Sequence, residues 1–268
     1  MNSYNTSTMP MATFSSMLAQ SSQSLVMAQQ QIDILQRNAS NMSTSGFKEM
    51  ITTMIPDKSG GVMAAVKLNF GQGDLGAGAV NDAAIKGNAL FVTQSSTNER
   101  IFTRAGEFSA IQQDNRVFYG IRGRKALGFK IVNGTVSESL VPLDITDSPN
   151  VGILEDGTVV SNINSDTPTP LYQLAVAEFH NPEQLDIEDI LSYRASRITG
   201  EPYKIEAANN PNGSITSTVF GQQRELSNVN PAALNIEMVN INRLLTMVQN
   251  TGFKAIDTAY KEAMKILG

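Results

Sequence analysis

Apolar residues recur every seven positions near the start of the chain. Leu18, Leu25, Ile32 and Ala39 form one row, and Ala28, Leu35 and Met42 form a second. That spacing predicts an amphipathic helix from about Phe14, with Ser21 as the weak place in its seam. The other faces carry Ser and Gln rather than Glu and Lys, so few i,i+4 ion pairs support the helix alone. The pattern dissolves in the polar run from Asn38 to Ser45, whose side chains compete for backbone hydrogen bonds. It stops at Gly46-Phe47-Lys48, where a residue able to take positive φ precedes an aromatic anchor. A second seam closes the sequence: Leu234, Met238, Ile241, Leu245, Val248, Ala255, Ala259 and Ile266 keep a heptad register interrupted at Gly252 and Glu262. Asn230 suits its N-cap and Pro231 its first helical position. A helix from there to the end would run ~55 Å, longer than a small domain is wide.

Between the seams the period changes from seven to two. Residues 89–93, 101–104, 107–111, 117–119, 128–132, 151–154, 158–160 and 171–179 read as short strands, with a further one over 215–220. Ser95 to Asn98, Gln113 to Asn115, Asn133-Gly134 and Asp156-Gly157 are the turns that separate them. Spacing of this kind predicts an antiparallel sandwich or barrel. The fold class read from the sequence is therefore α+β, with long N- and C-terminal helices paired as a coiled coil around a central antiparallel all-β domain. Residues 1–48 and 222–268 make the discontinuous helical domain, 49–80 an extended connector and 81–221 the β domain. Residues 1–13 read as a frayed polar lead.

Composition narrows the function. The net charge of −5 argues against general nucleic-acid binding. No apolar run reaches the roughly 20 residues needed to cross a bilayer, so membrane insertion is not expected. The first residues lack a basic n-region and a continuous apolar core, so no cleaved secretory signal is expected. The chain has no cysteine, which removes thiol chemistry and disulfides, and one histidine, His180. A Ser-His-Asp triad or a zinc site would hang on that single residue, and beside Asn181-Pro182 it reads as a surface or capping residue. Gly71, Gly73 and Gly76 spell G-x-G-x-x-G after a strand. No crossover helix follows, so the segment reads as a turn or linker and no cofactor is assigned.

Arg116, Arg122, Arg124, Lys125 and Lys130 concentrate positive charge, and Glu183, Asp186, Glu188 and Asp189 negative charge. Both read as solvated faces, with complementary patches on neighbouring subunits as the functional alternative. A glycosidase pair among those acids lacks any tryptophan for a sugar cleft. No catalytic or metal residue is assigned, and an enzyme is not expected.

Several stretches, in order, resemble the flagellar rod and hook axial protein family. Asn38, Asn41, Gly46, Phe47 and Lys48 resemble its Asn-rich segment and Gly-Phe-Lys exit. Residues 82–91 (DAAIKGNALF), 102–108 (FTRAGEF), 176–182 (VAEFHNP) and 199–202 (TGEP) are similar to later segments, and 224–229 (RELSNV), with Ser227, Asn228 and Val229, to the approach to its last helix. The chain departs from the family at 242–250, where a Gln-Arg-aromatic stretch is replaced by NRLLTMVQN. The resemblance implies a structural subunit of the bacterial flagellar basal-body rod, of proximal-rod rather than distal-rod type. Its terminal helices would polymerise into a helical tube that transmits torque and carries the export channel. Leu18, Leu25, Ile32, Leu35, Met238, Ile241, Leu245 and Val248 would form the assembly seam. Implied partners are copies of the chain, other axial rod and hook subunits and the flagellar export apparatus. The implied location is the periplasmic part of the rod, reached without a cleaved signal. The alternatives are a distal-rod or short hook-type subunit and, in a different class, a secreted β-domain binding protein forming a small closed oligomer.

Overall fold

A computed structural model describes residues 11–56 and 62–267. The chain divides into two compact units, one of residues 1–40, 50–66 and 230–268 and the other of 41–49 and 67–229.

The first unit holds the two helices, α1 (Met11–Ser40) and α2 (Pro231–Leu267), and all but the last two residues of a hairpin of Met50–Pro56 with Val62–Leu68. Asn230 caps α2: its Oδ1 accepts from the N–H groups of Ala232 (3.0 Å) and Ala233 (3.2 Å), with Pro231 at the first helical position. At the other helix, the buried Asn38 amide closes a two-bond clasp on Met50. It donates to the Met50 carbonyl at 2.8 Å and accepts from its N–H at 2.9 Å.

The fold class expected from the sequence is corrected here. The chain is mostly β, built on a large curled antiparallel sheet with two helices, and long terminal helices paired as a coiled coil are not evident. On α1 the two heptad rows fare differently: Ala28 and Leu35 of the second row are buried, with Ile34 and Asn38 off both rows, while Leu25, Ile32 and Ala39 of the first row are only half-buried. Met42 falls beyond the helix end and is exposed. On α2, Leu234 and Ile241 are buried and Met238, Leu245 and Val248 half-buried. The side chains of Leu18, Ala255, Ala259 and Ile266 lie outside those described, as do residues 1–10 of the polar lead and 57–61 of the connector. The physical reason is that a seven-residue recurrence reports which face of a helix turns inward, not how far it pairs. The bulk of the core lies elsewhere. The largest fully buried side chains, Tyr193, Phe47, Lys48, Phe91, Phe102 and Phe108 first among them, all belong to the second unit.

That unit is a curled, branched sheet of twelve strands, antiparallel throughout its registered pairs. Thr169–Glu178 is its spine. It pairs with Thr158–Ser161 and Arg124–Val132 along its first half, and with Lys204–Ala207 and Leu90–Gln94 along its second. Arg100–Thr103, Ser192–Arg194 and Asp186–Asp189 continue the sheet to one edge. Two small ladders stand beside it, Ala83–Lys86 with Thr218–Gly221 and Leu75–Ala77 with Gln223–Glu225. The sheet folds over an aromatic cluster in which Phe108 meets Phe91 edge-on at 5.5 Å and stacks on Tyr119 at 5.3 Å. The expected turns form where the sequence marks them. Asn98, Asp114, Asn115, Asn133, Gly134 and Gly157 all take positive φ.

One turn is held by charge. Burial pushes the Glu206 carboxyl up, but hydrogen bonds from Lys204 and from the N–H groups of Ile215 and Ser214 outweigh it, with the Lys204 charge adding to them. The group is held at about 2 against an ordinary 4.5. A depressed carboxylate contributes stability that is complete above its unfolded value and lost as pH falls through its folded value. E206Q should therefore be less stable than wild type at neutral pH, with the gap closing between pH 4.5 and 2. Urea unfolding at about pH 6 and about pH 3 measures it; a gap that stays constant contradicts the assignment.

Candidate functional site

The segment that leaves α1 enters the β unit through Gly46-Phe47-Lys48. Gly46 sits at φ +73, and a Cβ there would lie 2.5 Å from the Ala105 nitrogen, so both conformation and space demand glycine. Its N–H donates to the Glu225 carbonyl at 2.8 Å. Phe47 is fully buried, and Lys48 follows with its ammonium inside the protein.

Lys48 ends on Glu225. The lysine Nζ donates to Glu225 Oε1 at 2.7 Å and to the Gly71 carbonyl at 2.7 Å. Arg104 Nε donates to the other carboxylate oxygen at 2.7 Å. The Gln72 side chain and the Gly73 N–H each donate to Oε1 at 2.8 Å. All three charged side chains are essentially inaccessible to solvent. One anion thus faces two cations, and backbone carbonyls take the excess donors. Arg104 Nη1 donates to the carbonyls of Gly87 (2.8 Å) and Ala89 (2.5 Å), and Nη2 to Ile85 (2.9 Å) and Gln72 Oε1 (3.3 Å). Burial pushes the Lys48 ammonium down, the Arg104 charge adds to this and Glu225 pulls back, leaving it at about 8 against 10.5.

A second hydrogen-bonded layer, built on two asparagine amides, lies against the first. Asn228 accepts from the Glu49 N–H at 2.7 Å and donates to the carbonyls of Asn69 (2.7 Å) and Gly71 (2.9 Å). Asn69 in turn donates to the Glu49 carboxylate at 2.9 Å. Ser227 accepts from the Val229 N–H at 3.3 Å, and Val229 is buried. Asn41 accepts from the Thr44 hydroxyl at 3.1 Å, one turn before Gly46. Gly46, Phe47, Lys48, Asn228 and Val229, singled out by the sequence, therefore meet in one place, whereas Asn38 serves Met50 in the first unit. The helix positions Leu25, Ile32, Leu35, Met238, Ile241, Leu245 and Val248 also belong to the first unit.

Sequence reasoning missed the centre of this arrangement. Glu225 and Arg104 stood inside quoted stretches without a role, although a buried salt bridge needs both. The G-x-G-x-x-G segment proves to be part of the wrapping: Gly71 gives its carbonyl to Lys48 and Gly73 its N–H to Glu225. A Cβ on Gly73 would meet the Leu226 carbonyl at 2.1 Å. Several members of the two charge clusters pair within the chain. Asp189 accepts from Arg124 at 2.8 Å and lies 3.9 Å from Arg122, and Glu188 pairs with Arg194 at 2.5 Å, all within the chain. His180 is exposed and stacks flat on Tyr203 at 4.5 Å. Among the described residues no cluster of His, Asp and Glu is placed to hold a metal ion, and no helix is long and apolar enough to cross a membrane.

The buried site ties segments of the chain together. No family model matches the chain. It is similar to the flagellar basal-body rod protein FlgG of Buchnera aphidicola subsp. Acyrthosiphon pisum (strain APS), at 26% identity over 241 residues that cover 79% of this chain and 85% of the relative. The similarity runs over most of both chains.

Charge arithmetic ranks the substitutions. E225Q leaves two buried cations without an anion and should cost about 3–5 kcal/mol. K48M leaves Glu225 with Arg104 and two neutral donors, and should cost under about 2 kcal/mol. Guanidinium unfolding followed by tyrosine fluorescence gives both values; K48M proving the worse of the two would contradict this account.

Proposed function

We propose that the chain is a structural subunit of the bacterial flagellar basal-body rod. In this reading it assembles with copies of itself and other axial rod and hook subunits into a helical tube in the periplasmic part of the rod. The tube transmits torque and encloses the export channel, and the subunit reaches it through the flagellar export apparatus. The single β region favours a rod over a hook subunit, and the short 49–80 segment favours the proximal over the distal rod. The similarity to a rod protein over most of both chains supports the class.

The observation that carries the reading lies on α2. Its inward face uses Leu234, Met238, Ile241, Leu245 and Val248. The opposite face should be polar on a finished surface helix. Instead Ile236, Val239, Leu244 and Met247 form a second apolar stripe and are 62%, 49%, 45% and 63% exposed. At 100° per residue these four fall within one sector of the helix, interleaved with Asn240 and Arg243. A helix apolar on both sides awaits a partner, and heterologous contacts of that kind produce open filaments.

I236E/M247E tests the assignment. Because both side chains are already exposed, the purified variant should unfold within about 0.5 kcal/mol of wild type. Cells carrying it should nevertheless fail to build a rod and lose motility. Normal motility with the variant present at wild-type level contradicts the proposal.

A further inference from the structure

The loop between Ser192–Arg194 and Lys204–Ala207 is held from within. The Ser196 hydroxyl accepts from the N–H groups of Ile198 (3.1 Å) and Thr199 (3.0 Å), and the Ser196 N–H donates to the Thr199 hydroxyl at 2.8 Å. Gly200, at φ +64, closes the turn with its N–H on the Ser196 carbonyl at 3.0 Å. This bonding fixes Ile198 at the tip, 74% exposed, the most exposed large apolar side chain among those described. Neighbouring charges are neutralised locally: Arg194 by Glu188 and Glu99, and Glu201 by Arg100. Arg197, beside Ile198, is exposed and has no ion pair among the described residues. The tip is one rigid apolar knob with one uncompensated cation.

The same unit carries an open groove of about 680 Å³ with the complementary character. Phe129, Val136, Ile205 and Pro211 supply apolar lining, and Glu138 and Asp156 supply acid. The other two charges there cancel, since Lys204 lies 2.6 Å from Glu206 and Glu206 is engaged with the following turn. Asp156 commits one oxygen to the Thr158 N–H at 2.9 Å, and neither it nor Glu138 has an ion pair among the described residues. The groove is thus apolar and net negative where the knob is apolar and net positive.

We propose that this knob docks in the groove of a second copy of the chain, Ile198 against Val136, Ile205 and Pro211, and Arg197 against Glu138 and Asp156. The turn is already ordered, so docking immobilises little. A contact this small sets register between copies that other surfaces hold together, and the unlike patches make it head-to-tail. The inference rests on the proposed assembly of copies.

The test exploits the absence of native cysteine. Purified full-length V136C/I198C, oxidised at high concentration, should form covalent multimers, because docking brings the two positions within disulfide reach. I198C and V136C alone should not form them. R197E in the double-cysteine background should reduce the yield about five- to tenfold, and adding E138R should restore it. A double variant that crosslinks no better than I198C alone overturns the inference, as does I198C alone giving the full dimer yield, which would mean tip meeting tip. The readout needs no flagellum. A complete flagellum in cells lacking the protein would remove the rod reading and leave this result standing, while loss of the crosslink leaves the rod reading intact.

Discussion

A single buried carboxylate ties three separate segments of this structure to one point. Glu225 receives Lys48 from the chain leaving α1 and Arg104 from the sheet, and its backbone carbonyl receives the N–H of Gly46. It lies in the short strand that precedes α2, so the entry and exit of the β unit converge on one residue. A buried ion pair is a poor source of net stability, because desolvation of each charge offsets the attraction. Its effect is geometric. Once two cations are buried, only an arrangement that returns the carboxylate to them avoids a large penalty, so the paths of residues 46–49, 69–73 and 225–229 are specified together. Carbonyls at Gly71, Ile85, Gly87 and Ala89 complete the shell, which accounts for the glycines among the wrapping segments: a side chain on Gly73 would intrude on the backbone.

The chain segments that leave and return to the β unit are pinned there by short, charge-assisted hydrogen bonds. The last helix carries a different property. α2 displays apolar surface on the side away from its packed face, so its full stabilisation waits on a partner.

Local chemistry was legible in the sequence. Asn230-Pro231 announced a helix start that the hydrogen bonds of Ala232 and Ala233 realise. Gly46 marked a stop with positive φ, and Asn133-Gly134 a hairpin. The strands over 89–93, 101–104 and 171–179 recur within a residue or two, at Leu90–Gln94, Arg100–Thr103 and Thr169–Glu178. The strand Thr135–Pro142 was not seen, because its run of Ser, Glu and Ser shows no alternation on a face that is largely exposed. Glu225 and Arg104 were invisible as a pair for another reason. A charged residue looks the same in sequence whether solvated or buried, and partners 121 positions apart leave no local pattern. The helical seams misled on extent: periodicity located the inward face of α2, but the core lies in the β unit and the heptad does not continue as a paired coil.

The most direct measurement is electron tomography of flagellar motors in cells lacking this one protein. The account predicts a motor whose rod is missing or truncated, with no hook or filament beyond it. A complete flagellum in those cells would contradict it.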